Sequence, residues 1–221
     1  MQYRFALKTE DWRAKKQKGK NMNQYDAKYA GTEYYWGKKP SPICYKVLEM
    51  NQMEKQLSLF DIGCGEGRNA VFFARNGYNV TALDLSVNGV NKTKAYAELI
   101  GITINVFEAS LLDYRIDKNY DVLFSSGVLQ YIPEEKRKTI IENYQKNTAE
   151  DGLNVFSVFV KKPFIEKSPG AEKTAYPWYS GELLAFYKDW KIEYSCEEIF
   201  DCMSSGIPHK HAVNRVIARK T

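Results

Sequence analysis

Apolar residues in this chain gather into short runs separated by helix-length mixtures of polar and apolar positions, and a regular alternation of the two begins near residue 57. Leu57 to Ile62 is an apolar run that enters a glycine-rich turn. Arg68 to Asn76 carries Val71, Phe72 and Ala74 within a helical pattern and is closed by Gly77. Asn79 to Leu83 predicts a second strand. Ser86 predicts an N-cap for a helix that runs to Ile100 and stops at Gly101. Strands are expected at Ile104 to Glu108 and at Tyr120 to Phe124. Pro133-Glu134-Glu135 opens a helix to about Asn147, with proline and two acids suited to a first turn. Asp151-Gly152 predicts a turn, and Leu153 to Val160 a β-prone strand.

The ends of the chain depart from this rhythm. Lys161 to Tyr179 reads as a loop-like insertion with Pro163, Pro169 and Pro177, and Ser180 as the cap of a helix to about Asp189. Lys191 to Phe200 and His211 to Arg219 then read as two consecutive strands. With no helix between them, they should pair antiparallel. Before residue 56 the chain is polar and basic, with helical character at Asn23 to Ala30 and Ile43 to Gln56, interrupted by Gly37 and Pro40-Ser41-Pro42. The expected fold is α/β: a doubly wound, seven-stranded, mostly parallel sheet with an antiparallel last strand, plus an N-terminal helical cap. Residues 1–55 form a basic arm and the cap, and residues 56–221 the α/β domain.

Charge sharpens that division. Residues 1–55 carry 12 Lys/Arg against 6 Asp/Glu, whereas residues 56–221 carry 20 against 21. The excess centres on residues 13–20, Arg-Ala-Lys-Lys-Gln-Lys-Gly-Lys. Such a run meets an anionic surface or remains a solvated arm. It lacks interleaved aromatics to stack on bases, which argues against nucleic acid as a partner. The start lacks the apolar core of a signal peptide, and no stretch is long and apolar enough to span a membrane. The expectation is a cytoplasmic protein whose four cysteines are reduced.

The chemistry gathers at Asp61-Ile62-Gly63-Cys64-Gly65-Glu66-Gly67. Glycines between a strand and a helix let a ligand approach the backbone, and the helix start offers free N–H groups. A ligandless tight turn would use one or two glycines as well. The spacing is G-x-G-x-G, not the G-x-G-x-x-G of dinucleotide folds, so an NAD-dependent enzyme is disfavoured. Asp84 ends the next strand, 23 residues after Asp61. A carboxylate there can accept both hydroxyls of a ribose, or can simply favour the start of the following helix.

Over residues 57–221 the chain resembles the class I S-adenosylmethionine (SAM)-dependent methyltransferases. The resemblance implies SAM as cofactor, S-adenosylhomocysteine as product, and a cofactor site from Asp61, Gly63, Gly65 and Gly67, with Asp84 on the ribose. It places Leu85, Ser110 and Leu111 around the adenine and Ser126 on the methionine side. Many relatives carry an acid where Ser110 stands, and a histidine where Gln130 stands. Tyr34-Tyr35-Trp36-Gly37, Cys64-Gly65-Glu66-Gly67-Arg68-Asn69 and Val216-Ile217-Ala218-Arg219-Lys220 are similar to the tellurite-resistance (TehB-like) methyltransferases, themselves similar to thiol and thiopurine enzymes. That implies a small-molecule acceptor with a soft nucleophile, a thiol or a selenium or tellurium species. The alternatives are an RNA methyltransferase and a SAM-binding protein without turnover. Nucleic-acid amino-methyltransferases usually carry Asn/Asp-Pro-Pro-Tyr where Ser125-Ser126-Gly127-Val128 stands here.

Several residues have two readings. Tyr35 and Trp36 could close over the cofactor as an aromatic face suited to a sulfonium, or merely pack the cap. Arg68 could orient an anionic acceptor, or be salt-bridged at the surface. The stretch from Cys202 to His211 holds both histidines of the chain. It is a polar loop without chemistry, or it supplies His209 or His211 as base or orienter. A third reading is a metal or metalloid site with Cys202 and Cys196. The spacing C-x5-C-x6-H-x-H matches no standard zinc pattern, so no metal site is expected.

Overall fold

The structure, a computed structural model, describes residues 24–51, 56–167, 169, 175–203 and 206–221. The basic run at 13–20, and with it the expectation of an arm, lies outside the described residues.

Among the described residues two helices come first, α1 (Gln24–Tyr29) and α2 (Pro42–Met50). The alternating core follows: β1 (Ser58–Ile62), α3 (Arg68–Arg75), β2 (Asn79–Asp84), α4 (Val87–Leu99), β3 (Asn105–Glu108) and β4 (Tyr120–Ser126). After a 3-10 turn at Leu129–Tyr131 come α5 (Glu134–Lys146) and β5 (Thr148–Val160). The chain ends with α6 (Glu182–Ala185), β6 (Lys191–Cys202) and β7 (His209–Arg219).

The seven strands form one sheet in the order β3-β2-β1-β4-β5-β7-β6. The first five pair in parallel, and β7 runs antiparallel to both β5 and β6. The expected sheet, with its antiparallel last strand, is therefore the one observed. Period-two alternation divides the core between its faces. Leu59, Val122, Phe124 and Val155 join Ile43, Val47 and Phe73 on one side. Phe60, Ile62, Leu123, Phe156 and Val158 join Ile140, Ile141 and Trp178 on the other. Since Ile43, Cys44 and Val47 of α2 lie within the sheet's own core, α2 covers the sheet directly.

Three local expectations need correction. Asp151-Gly152 makes no chain-reversing turn. Asp151 takes φ 59, and the register slips between Tyr120↔Thr148 and Val122↔Leu153, so the residues form a bulge inside β5. The helix expected from Ser180 to Asp189 shrinks to Glu182–Ala185 behind Gly181. Ser180 cannot cap it, because its hydroxyl is used elsewhere, with the Lys162 ammonium (2.6 Å) and the Glu197 carboxylate (3.1 Å). The last two strands also run further than expected, to Cys202 and from His209, so His209 joins His211 as a strand residue.

The insertion after β5 has a firm anchor. Trp178 is fully buried, donates its indole N–H to the Leu129 carbonyl (3.1 Å) and makes a parallel bridge with Val160. The buried Arg137 guanidinium stacks over that indole at 4.2 Å and bonds the Pro177 carbonyl and Glu182. This holds Tyr176, whose N–H donates to the Gln130 carbonyl (2.7 Å), at the carboxyl edge of the sheet.

Candidate active site

The strand order reverses between β1 and β4, and the carboxyl ends of an open α/β sheet at such a point form a crevice. Here that crevice is a cleft of about 700 Å³. Its floor is the turn after β1, where the Gly63 and Cys64 N–H groups both donate to the Leu83 carbonyl (2.9 Å each). At Gly63, φ is +78°, and a Cβ would lie 2.6 Å from both Val128 methyls, so only glycine fits. At Gly67, φ is +86° where the chain enters α3, and a Cβ would lie 2.7 Å from the Thr93 hydroxyl oxygen. That hydroxyl donates to the Gly65 carbonyl (3.1 Å) and pins the turn to α4.

Asp84 clamps the other side. Its Oδ2 accepts the Gly65 N–H and its Oδ1 the Ser86 N–H, both at 2.8 Å. Each carboxylate oxygen keeps capacity for a further donor. Burial raises the Asp84 pKa above the ordinary carboxylate value, and the N–H donors of Ser86, Gly65 and Leu85 oppose that. Asp61 lies under the turn and does not line the cleft. Burial first, and the Asp84 charge second, push its pKa up to about 8, against the pull of Arg68 and the Ala70 N–H. Among the described residues its Oδ2 has no hydrogen-bond partner.

The N-terminal helices build the near wall. Ser86 caps α4 by accepting the Gly89 N–H (3.0 Å), and its hydroxyl donates to Asp26 Oδ1 of α1 (2.7 Å). Asp26 also accepts the Asn88 N–H (3.0 Å), which puts its charge at the positive end of α4. Glu66, nearly inaccessible, pairs with Lys92 (2.7 Å) and accepts the Trp36 N–H (3.4 Å), while Lys92 also donates to the Glu33 carbonyl (2.6 Å). Trp36 faces the cleft beside Tyr25, Tyr29 and Tyr131, and its indole donates to the Tyr29 hydroxyl (3.0 Å). Tyr35 lies behind, with its ring edge-on to Trp36 at 4.8 Å.

Arg68 lines the cleft and is mostly buried, not a surface ion-pair residue. It donates to the Trp36 carbonyl (3.5 Å) and the Ser41 hydroxyl (3.3 Å), and burial lowers its pKa. Ser41 lies 3.2 Å from the Ser126 hydroxyl. Leu85, Ser110, Leu111 and Ser126 all line the cleft, and the Ser110 hydroxyl accepts the Leu112 N–H (3.2 Å). The structure thus brings Trp36, Gly63, Gly65, Arg68, Asp84, Leu85, Ser110, Leu111 and Ser126 to one surface. Asp61, Gly67 and Tyr35 support that surface from behind. Cys44 and Cys64 are buried, and burial pushes both thiols far up, so neither supplies a thiolate.

The far wall was not anticipated. It consists of Ser157 and Phe159 of β5, Tyr176, Glu198 and Phe200 of β6, and Val213 and Arg215 of β7. His209 and His211 do not line the cleft. The His211 ring packs against Phe159 (4.7 Å) and Phe200 (5.7 Å), on the same face as the wall but beyond its outer end.

Residues 27–205 match the family described as "Tellurite resistance protein TehB". The chain is 28% identical over 173 residues to the probable S-adenosyl-L-methionine-dependent methyltransferase TehB of Haemophilus influenzae strain 10810, covering 76% of this chain and 58% of that protein. It is 30% identical over 126 residues to the ubiquinone biosynthesis O-methyltransferase of Rickettsia conorii, covering 56% and 43%. The chain thus spans less than two thirds of the length of these relatives. The crystal structure of TehB from Haemophilus influenzae superposes with a TM-score of 0.70 at 23% identity, covering 80% of this chain and 62% of that one. The SAM-bound magnesium protoporphyrin IX methyltransferase of Synechocystis PCC 6803 superposes with a TM-score of 0.63 at 16% identity, covering 99% and 100%. At these identities the superpositions establish a shared methyltransferase fold, and the family match covers most of the sequence. The chain belongs to the tellurite resistance protein TehB family.

Proposed function

We propose that the protein transfers a methyl group from SAM to a small acceptor whose reacting atom is a soft nucleophile. The observation that carries this reading is the Asp84 carboxylate clamped beside a glycine turn that tolerates no Cβ, at the floor of one cleft. The residues fit the cofactor. The turn at Gly63 and Gly65 leaves backbone open to the methionine portion. Asp84 has acceptor capacity for the ribose hydroxyls, and Leu85 and Leu111 offer apolar faces to the adenine. When bound, SAM supplies a methyl group activated on a sulfonium. The chain's part is to align and to exclude water. Tyr25, Tyr29, Trp36 and Tyr131 present aromatic surface to a cation, and burial raises the Tyr29 pKa so that its phenol stays neutral.

The far wall favours an apolar or aromatic acceptor with a polar or anionic group. Phe159, Phe200 and Val213 supply apolar surface, Arg215 is paired there with Glu198, and Arg68 and Lys39 supply cations from elsewhere on the cleft lining. A thiolate or a selenium or tellurium anion reacts without a strong base, whereas a hydroxyl acceptor would need one. The narrow, aromatic-walled cleft suits a small molecule better than nucleic acid. We place the protein in the cytoplasm. Four cysteines not joined in disulfides are consistent with that, and no helix among the described residues is long and apolar enough to cross a membrane.

Two measurements test the reading. Calorimetric titration with SAM should show one site per chain, weakened by Asp84→Ala; no binding refutes it. A panel of thiols, thiopurines, selenite and tellurite, with catechols as hydroxyl controls, should release S-adenosylhomocysteine with the sulfur, selenium or tellurium members. Turnover confined to the catechols would refute the soft-acceptor claim and leave the cofactor claim intact.

A further inference from the structure

The β6–β7 hairpin outruns its sheet. Pairing of β7 with β5 ends at Val160↔Ala212, whereas its pairing with β6 continues through Phe200↔His211 and Asp201↔Lys210 to Cys202↔His209. The projecting tip lies at the carboxyl edge of the parallel strands, as the cleft does. Residues directly opposite on paired strands share a face, as do residues two apart on one strand. Cys202, His209 and His211 therefore share one face of the tip.

Their donor atoms converge. One ligand atom from each residue lies within 4.8 Å of the other two. The Nε2 atoms of His209 and His211 are 3.0 Å apart. A tetrahedral zinc ion with bonds of about 2.0–2.3 Å needs ligand atoms about 3.3–3.6 Å apart, so small side-chain movements close the site. The orientation of His209 is also set. Its Nδ1 lies 2.7 Å from the Ile207 carbonyl, which can only accept, so Nδ1 carries the proton and the Nε2 lone pair accepts the His211 Nε2–H, a bond that a metal ion replaces when the His211 proton moves to Nδ1 or leaves. A ring N–H held by a backbone carbonyl is the usual outer support of a metal-bound histidine. His211 is held by Phe159 and Phe200 on its flanks.

We propose that Cys202, His209 and His211 form a binding site for a zinc-class divalent ion, supplying one sulfur and two imidazole nitrogens. A mixed sulfur and nitrogen set suits zinc among the biological divalent ions. Three protein ligands leave one coordination position for water or a solute. The spacing along the sequence hides the site because a motif on one strand counts residues in order, whereas these ligands come from two strands in register. Cys196 is not part of the set, since its sulfur lies 3.9 Å from an Arg215 guanidinium nitrogen further down the hairpin. The site is separated from the cleft by Phe159 and Phe200 and does not depend on the methyltransferase reading.

The test is a titration of the full-length, chelator-stripped protein with Co2+, followed by displacement with Zn2+. The expected result is one Co2+ per chain, with thiolate-to-cobalt charge-transfer absorption that Zn2+ abolishes. Cys202→Ser should remove that absorption and Cys196→Ser should leave it. His209→Ala and His211→Ala should each weaken binding by more than the roughly 10- to 100-fold typical for loss of an outer-shell partner. His211→Asn, which keeps a polar plane between the two phenylalanines, repeats the test with less disturbance of packing. All three ligand residues are only partly buried, and far-UV circular dichroism checks that each variant is folded. Absence of stoichiometric binding would overturn the proposal. So would a charge-transfer band that survives Cys202→Ser, or an isotherm unchanged by the histidine variants.

Discussion

Asp84→Asn tests whether the clamp at the cleft floor is built on charge and acceptor geometry. Both carboxylate oxygens are committed to backbone N–H donors, Oδ2 to Gly65 and Oδ1 to Ser86 at 2.8 Å. An amide has one oxygen and one NH2 group. Whichever way it is turned, its NH2 group faces an N–H, so one donor loses its acceptor. A hydrogen bond to a charged group contributes about 1.5–3 kcal/mol, and a buried donor left unpaired costs about 1–3 kcal/mol. Part is recovered because Asp84 itself bears a burial penalty, visible in its raised pKa. A net loss of about 3 kcal/mol lowers the melting temperature of a chain this size by about 6–12 °C. SAM affinity should fall at least about tenfold, since each 1.4 kcal/mol lost from the ribose contacts is a factor of ten. Differential scanning calorimetry of the ligand-free protein and calorimetric titration with SAM separate the two effects. The exposed Asp113→Asn serves as a control expected to shift neither. An Asp84→Asn melting curve that overlays the parent would refute the clamp, and parent-like SAM affinity would refute the ribose role.

Three more variants probe the surroundings. Gly63→Ala should cost about 2 kcal/mol or more in stability and strongly reduce SAM affinity, because its φ is positive and its Cβ would overlap Val128. Adding Val128→Ala should recover the steric share only, a split that a double-mutant cycle measures. Glu66→Gln should cost about 2 kcal/mol by stranding Lys92 and loosening Trp36. Without SAM, proteolysis of this variant within residues 24–51 should be faster than in the parent, and an unchanged cleavage rate would argue against Glu66 as the anchor of Lys92 and Trp36. Asp61 gives a pH signature. Its folded pKa, about 8, exceeds the ordinary value of 3.8, so the folded state holds the extra proton between them and stability falls as pH rises through that window. Asp61→Asn should therefore raise the melting temperature more at pH 8.5 than at pH 5, and an equal effect at both would contradict the assignment.

The floor of the cleft was legible because its determinants are local. A β-prone run, a glycine turn and an amphipathic helix are written within residues 57–76, and Asp84 follows at the end of the next strand. The aromatic wall was not. Tyr25 and Tyr131 meet through their hydroxyls at 3.3 Å although 106 residues separate them, and no periodicity encodes such a pairing. Ser180 had the sequence context of a cap, but tertiary partners claimed its hydroxyl. The expected start of the last strand at His211 fell two residues short, leaving His209 outside it, because register continues past the edge of β5, a property of the partner strand.

Trp178 has a consequence for how this fold can diversify. The indole and Arg137 hold the return of the insertion against the 3-10 turn and β5, whatever the chain does between Lys162 and Tyr176. Apart from Ile165, which packs on the core, and Lys162, which holds Ser180 and Glu197, the segment is free to change length without disturbing the strands that carry the glycine turn. Of its described residues only Tyr176 lines the cleft, whereas the rest of the far wall belongs to β5, β6 and β7. Changes confined to residues 166–175 should therefore leave the glycine turn, and the affinity for SAM proposed for it, as they are in the parent.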